Sequence, residues 1–157
     1  MNTVRVSDAV PVHIGHHHRA DGRFRIYAFA DKDHAALNEW AEWMLESPES
    51  PLARFTPAGA DIDSVFDVKA VYQEEHQSVA LETVPKLFLP SVGPFQMTDY
   101  EKVYAAIAEE DIFELRGVSR DGAIVVVRPD HYVSHILPLS ARGELSDYFA
   151  GFLTPQA

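Results

Sequence analysis

The stretch VSRDGAIVVVRPDHYVSHILPL, residues 118–139, marks out two strands and the joints between them. Asp121-Gly122 is a hairpin-type turn signal. Ala123 to Val127 is an unbroken apolar run, as expected of a strand buried on both faces. Pro129 presets φ for a second turn, Asp130 caps it, and Tyr132 to Leu137 runs back alongside. The two strands predict an antiparallel hairpin near the end of the chain.

Working outward, residues 143–153 carry Leu145, Tyr148, Phe149, Phe152 and Leu153 at helical spacing, with Thr154-Pro155 as a stop. An earlier helix is clearer still. Leu37, Trp40, Ala41, Met44 and Leu45 fall at i, i+3, i+4, i+7 and i+8, and Trp43 lies on the flank of that stripe. Asp31 or Asp33 can cap this helix, and Ser47-Pro48 ends it. Residues 23–30 and 65–72 alternate as strands. In the first, Phe24, Ile26 and Ala28 share one face, and Arg25, Tyr27 and Phe29 the other. Residues 4–14 alternate loosely, and 48–63 read as a Pro-, Ser- and Gly-rich loop. Asp99 to Ala108 reads as a helix with Val103 and Ile107 inward. The order is strand, helix, strand, irregular segment with a helix, strand–turn–strand, helix. That order predicts one α/β domain over residues 1–157, thioredoxin-like, with a central mixed sheet and flanking helices.

Composition narrows the function. The chain has 157 residues and no cysteine, so it lacks the redox dithiol of that fold, a thiolate metal site and a cysteine nucleophile. The formal charge of −11 argues against nucleic acid and anionic membranes as partners. No apolar run approaches the roughly 18 residues of a membrane span, and the start has no apolar signal core, so the expected location is the cytoplasm. None of the eight glycines has Gly-x-Gly spacing, so no dinucleotide fingerprint or P-loop can be written, and no cofactor is expected on this chain.

Other candidates have plainer readings. His16-His17-His18 could hold zinc, nickel or copper with His13, but it reads first as a solvated turn. Asp61-Ile62-Asp63 is no calcium loop, because Phe66 and Tyr72 stand where a glycine and a glutamate are needed. Ser119, Ser134, Ser140, His131 and His135 lack a nucleophile elbow. Around Asp99, Tyr100, Glu101 and Lys102, the lysine can pair with Glu101, Asp99 or a partner's carboxylate. Arg128 ends a buried strand and must reach solvent or a carboxylate.

Four segments in this order and spacing carry a resemblance. They are RADGRFRIY (19–27), FDVK (66–69), TDYEKVY (98–104) and the run from RDG (120–122) through RPDHYV (128–133). Over residues 4–153 the chain resembles the C-terminal domain of phenol hydroxylase-type FAD-dependent aromatic monooxygenases, the group that includes phenol 2-monooxygenase and 3-hydroxybenzoate 4-monooxygenase. The resemblance implies a thioredoxin-like dimerisation domain without redox cysteines. It also implies that FAD, NADPH and the aromatic substrate belong to preceding domains of a parent enzyme, so no catalytic residue is carried over. The implied partners are those flavin and substrate domains and a second copy. The segments around Tyr100 and Lys102 and around Arg128, Asp130 and Tyr132 are implied to serve structure or contacts. Tyr27, Phe29, Trp43 and Phe95 are candidates for an apolar contact patch. The alternative is a free-standing module that binds a partner protein or a small aromatic acid, with Tyr27 and Phe29 as walls and Arg25 on the carboxylate.

Overall fold

A computed structural model describes residues 2–17 and 19–156. In chain order the strands are β1 (Asn2–Arg5), β2 (Val10–His13), β3 (Phe24–Phe29), β4 (Phe66–Tyr72), β5 (Ser91–Val92), β6 (Met97–Thr98), β7 (Val103–Ala105), β8 (Ala123–Val127) and β9 (Val133–Leu137). The helices are α1 (Ala35–Glu46) and α2 (Pro51–Phe55) between β3 and β4, α3 (Ile112–Arg116) before β8, and α4 (Arg142–Ala150) after β9. Seven strands form one mixed sheet in the order β2-β1-β7-β4-β3-β8-β9, and β5 and β6 form a separate small finger. The pairs β3–β4 and β4–β7 are parallel, while β3–β8 and β8–β9 are antiparallel.

The alternation in β3 and β4 sorts side chains between two cores. Ile26 and Ala28 of β3, Phe66, Val68 and Ala70 of β4, and Ile124 and Val126 of β8 pack under α1, α2 and α4. Leu37, Trp40, Ala41 and Met44 face down from α1, and Leu145 and Phe149 from α4. On the other face Tyr27, Phe29, Val71, Tyr104 and Val127 meet Ile112 and Phe113 of α3.

Asp31 starts α1. Its carboxylate accepts from the Ala36 N–H at 3.1 Å and the Leu37 N–H at 2.9 Å, while His34, at the cap position itself, makes no side-chain cap.

Several expectations change. Residues 99–107 are not helical, and Ala108 only opens a short 3-10 turn: Val103–Ala105 is a buried strand between β1 and β4. Asp99 accepts from the Glu101 N–H at 2.8 Å, so its carboxylate closes a local turn instead of capping a helix. The loop at 48–63 contains α2, which Ser50 caps and Pro51 opens. Leu45 and Phe152, placed on helical stripes by their spacing, are exposed at 39% and 51%. Asp121-Gly122 is a tight turn leading from α3 into β8, closed by the Gly122 N–H on the Ser119 carbonyl at 3.2 Å, with no strand before it. At the second joint β9 carries a bulge: Val126 faces His135 and Val127 faces Val133, leaving Ser134 extra.

Gly122 has φ +90°, and a Cβ there would lie 2.3 Å from Leu139 Cδ1 and 3.0 Å from the Phe29 carbonyl oxygen. Gly122→Ala combines a left-handed backbone with overpacking and is expected to cost about 2 kcal/mol or more, read as a lower urea midpoint.

Candidate functional site: a buried ion network and an apolar finger

Four charged side chains are shut inside the sheet region: Arg25, Asp67, Lys69 and Lys102 are each less than a tenth exposed. The backbone explains why. Asp67 and Lys69 project from β4, the middle strand of the seven, and Arg25 from β3 directly beside it, paired with Asp67 in register. Almost every residue of both strands is buried, so these charges have little access to solvent.

They neutralise one another. Lys102 Nζ donates to Asp67 Oδ1 at 2.6 Å and to Asp63 Oδ2 at 3.0 Å, and lies 3.4 Å from Asp99. Lys69 Nζ lies 3.3 Å from Asp67 Oδ2 and 5.7 Å from the centre of the Tyr104 ring. Arg25 donates to Asp21 at 2.8 Å and to the carbonyls of Arg23 and Arg19, and its Nε stands 3.5 Å from Asp67. Arg23 links Asp21 and Asp63, each at 2.9 Å, and closes the circuit.

Burial pushes the Asp67 carboxyl up, but Lys69 and Lys102 outweigh it and hold the group at about 2. Burial lowers Lys69 in spite of Asp67, whereas Lys102 is raised because Asp67 and Asp63 together exceed its burial. Every member is a fixed counter-charge to another. The network ties the 19–25 segment, β4 and the approach to β7 into one unit.

The other residues singled out from sequence fall in different places. Tyr27 and Phe29 are not exposed; they form part of the second core because α3 covers their face of β3. Arg25 is committed to Asp21 and to the carbonyls of Arg23 and Arg19. Trp43 is half-buried beside the first core. Arg128 is exposed and pairs with Asp130, itself exposed, and Tyr132 projects at 71% exposure from the same turn. His16 stacks on His13 at 4.1 Å. His18 and the side chain of His17 lie outside the described residues, and among the described residues no group of three His, Cys, Asp or Glu side chains is placed for a metal. No helix of the described residues is long and apolar enough to cross a membrane.

Phe95 is 85% exposed, at the tip of the β5–β6 finger, with Met97 at 69% and Tyr100 at its base. The finger is held in shape. Asp61 Oδ2 accepts from the Gly93 N–H at 2.8 Å, the Gln96 N–H donates to the Gly93 carbonyl at 3.1 Å, and the Asp99 N–H donates to the Pro90 carbonyl at 2.8 Å. Spacing identified Lys102 as a pairing residue but not Asp67 or Lys69. The available signal was a strand with charges on one parity and apolar residues on the other, which in mid-sheet means buried charge.

Removing one partner leaves the others buried and uncompensated. Lys102→Met is expected to lose about 3–5 kcal/mol in urea unfolding. The depressed Asp67 carboxyl contributes stability that is complete above about pH 5 and is lost as pH falls toward about 2. The acid limb of the stability–pH curve should therefore be shallower in Lys102→Met.

Comparison with known proteins agrees with this architecture. The chain is 49% identical over 159 aligned residues to a 3-hydroxybenzoate 4-monooxygenase of Comamonas testosteroni, covering 96% of the chain and 25% of that protein. It is 31% identical to an FAD-dependent monooxygenase of Aspergillus terreus, covering 85% of the chain and 24% of the relative. It is 27% identical to a phenol 2-monooxygenase of Aspergillus fumigatus, covering 94% and 25%. The chain thus spans about a quarter of the length of the curated relatives it matches. Among solved structures, the thioredoxin domain of a thiol-disulfide oxidoreductase from Bacteroides vulgatus superposes with a TM-score of 0.56 at 11% identity, covering 98% of this chain and 93% of that one, which shows a thioredoxin-like fold. The family described as phenol hydroxylase, C-terminal dimerisation domain, matches residues 1–157, and the chain belongs to it.

Proposed function

We propose that this chain is the non-catalytic assembly domain of an FAD- and NADPH-dependent aromatic hydroxylase, joining two copies while flavin and substrate domains carry out the chemistry. The observation that carries this reading is the 49% identity to a 3-hydroxybenzoate 4-monooxygenase, confined to a quarter of that protein. The chain's own residues do not fit a dinucleotide. In nucleotide-binding α/β folds the first strand–helix turn offers helix N–H groups to a pyrophosphate. Here the corresponding N–H groups, of Ala36 and Leu37, are taken by the Asp31 carboxylate. An anion there would face a fixed negative charge. This supports the reading that FAD and NADPH are held by other domains of the parent enzyme, for which we propose a cytoplasmic location.

The finger is the contact we assign to the second copy. An ordered hairpin that presents a phenylalanine and a methionine to water gains about 1.5–3 kcal/mol for each side chain fully buried. A stable dimer needs roughly 800 Å² per partner, so the finger serves as the anchor of a wider contact. With a charge of −11 on each copy, the attraction is apolar and the long-range term repulsive.

Sedimentation equilibrium of the protein should show a dimer that tightens as salt screens the repulsion. Phe95→Asp should weaken it by about tenfold or more with unchanged circular dichroism. A strict monomer would overturn the assembly reading. A dimer indifferent to Phe95→Asp would overturn the finger as its contact.

A further inference from the structure

Sulfur is scarce in this chain, which has three methionines and no cysteine. Met1 lies outside the described residues, and the other two stand in opposite surroundings. Met44 faces from α1 into the first core and is fully buried. Met97 is 69% exposed on β6 of the finger, opposite Val92, and belongs to neither core.

The finger holds Met97 in view of solvent. A two-stranded hairpin this short is marginal by itself. Asp61 fixes it through the Gly93 N–H, the Asp99 N–H ties its base to the Pro90 carbonyl, and Gln96 Nε2 adds a bond to the Gly93 carbonyl at 2.9 Å. None of these bonds uses the Met97 side chain, so the frame that displays the thioether does not depend on it.

Peroxides oxidise thiolates and thioethers, and here no thiolate competes. Hydrogen peroxide is small and neutral, so the chain's charge of −11 does not repel it. A lone pair of the thioether sulfur attacks one peroxide oxygen and the O–O bond breaks. That oxygen stays on sulfur as the sulfoxide, and its proton leaves with the other oxygen as water. Sulfur is oxidised and the peroxide reduced by the same electron pair. At Met44 the reaction waits for the core to open, so folding protects that sulfur. The product at Met97 is a polar side chain where an apolar one stood. Its oxygen accepts hydrogen bonds, and burying it without a donor costs free energy.

We infer that Met97 is a peroxide-reactive modification site and that its sulfoxide loosens the pairing of two copies through the finger. The inference rests on the assembly reading: Met97 shares the finger with Phe95, so the gain of polarity falls where that contact is assigned. In a two-fold dimer each copy presents its own finger, and the loss counts twice. Linkage runs both ways. A modification that weakens pairing is itself slowed by pairing, so the reaction takes place on the separated copy.

The test treats the full chain with hydrogen peroxide, removes the oxidant, and follows peptide masses and sedimentation equilibrium together. Met97 should gain one oxygen at least about tenfold faster than Met44, and more slowly above the dimer midpoint than below it. The dimer Kd should rise by about tenfold with unchanged circular dichroism, and methionine sulfoxide reductases supplied with a dithiol should reverse the change. Met97→Leu retains Met1 and Met44, and whatever its starting Kd, peroxide should no longer alter it. A Met44 that reacts as fast as Met97 overturns the inference. So does an unchanged Kd with Met97 fully oxidised, or a peroxide response that persists in Met97→Leu; either outcome leaves the assembly reading in place. A strict monomer before any peroxide is added overturns the assembly reading itself, and the loosening with it.

Discussion

Asp67 occupies the middle strand of a seven-stranded sheet with both faces covered, so its charge can exist only where cations are fixed around it. Those cations come from three separate places in the chain: Arg25 on β3, Lys69 on β4 itself and Lys102 on the approach to β7. Asp63 and Asp21 then balance the surplus and connect Arg23. Apolar residues could fill the same volume, and a buried ion cluster is weak support for stability as such. Its effect is on register. A slip of β4 by one residue would exchange Asp67 and Lys69 for Phe66 and Val68 and bring charge under α1 and α2.

The two cores divide the labour. The first, under three helices, holds most of the large buried side chains and closes on Trp40, Phe66 and Phe149. The second is smaller, centred on Tyr27, Phe29 and Phe113, and its helix is short. Phe29 and Phe113 meet edge to face at 5.2 Å, and Tyr27 donates to the Ile14 carbonyl at 3.2 Å, so what exists there is specifically packed. The face remains partly open because little chain is assigned to cover it.

Much of this was legible in the sequence because it repeats locally. The apolar run at 123–127, the stripe from Leu37 to Met44 and the Leu145–Phe149 pair each state their element within a dozen residues, and the structure agrees. What was hidden lacked a local period. β7 is three residues long and is preceded by Asp99, Tyr100, Glu101 and Lys102, which look like the opening of a helix until the buried partners of Val103 and Ala105 are known. The five-residue helices α2 and α3 are too short to show a stripe. The ion network was illegible because Lys102 and Asp67 are 35 positions apart, and nothing in either neighbourhood announces the other. Tyr27 and Phe29 were assigned to the correct parity, but the helix that buries them was not foreseen.

Both margins of the main sheet are built to stop. β2 is one edge strand and contains Pro11, which has no N–H to offer an incoming strand. β9 is the other; it is interrupted by the Ser134 bulge and bracketed by Pro129 and Pro138. A further strand laid against either margin would find a broken ladder after a few residues. Continuous hydrogen-bonded extension, the route to fibres and open-ended polymers, is thereby blocked at both ends. In a family described by dimerisation this restraint leaves side-chain surfaces, and not an extending backbone ladder, to limit how many copies join.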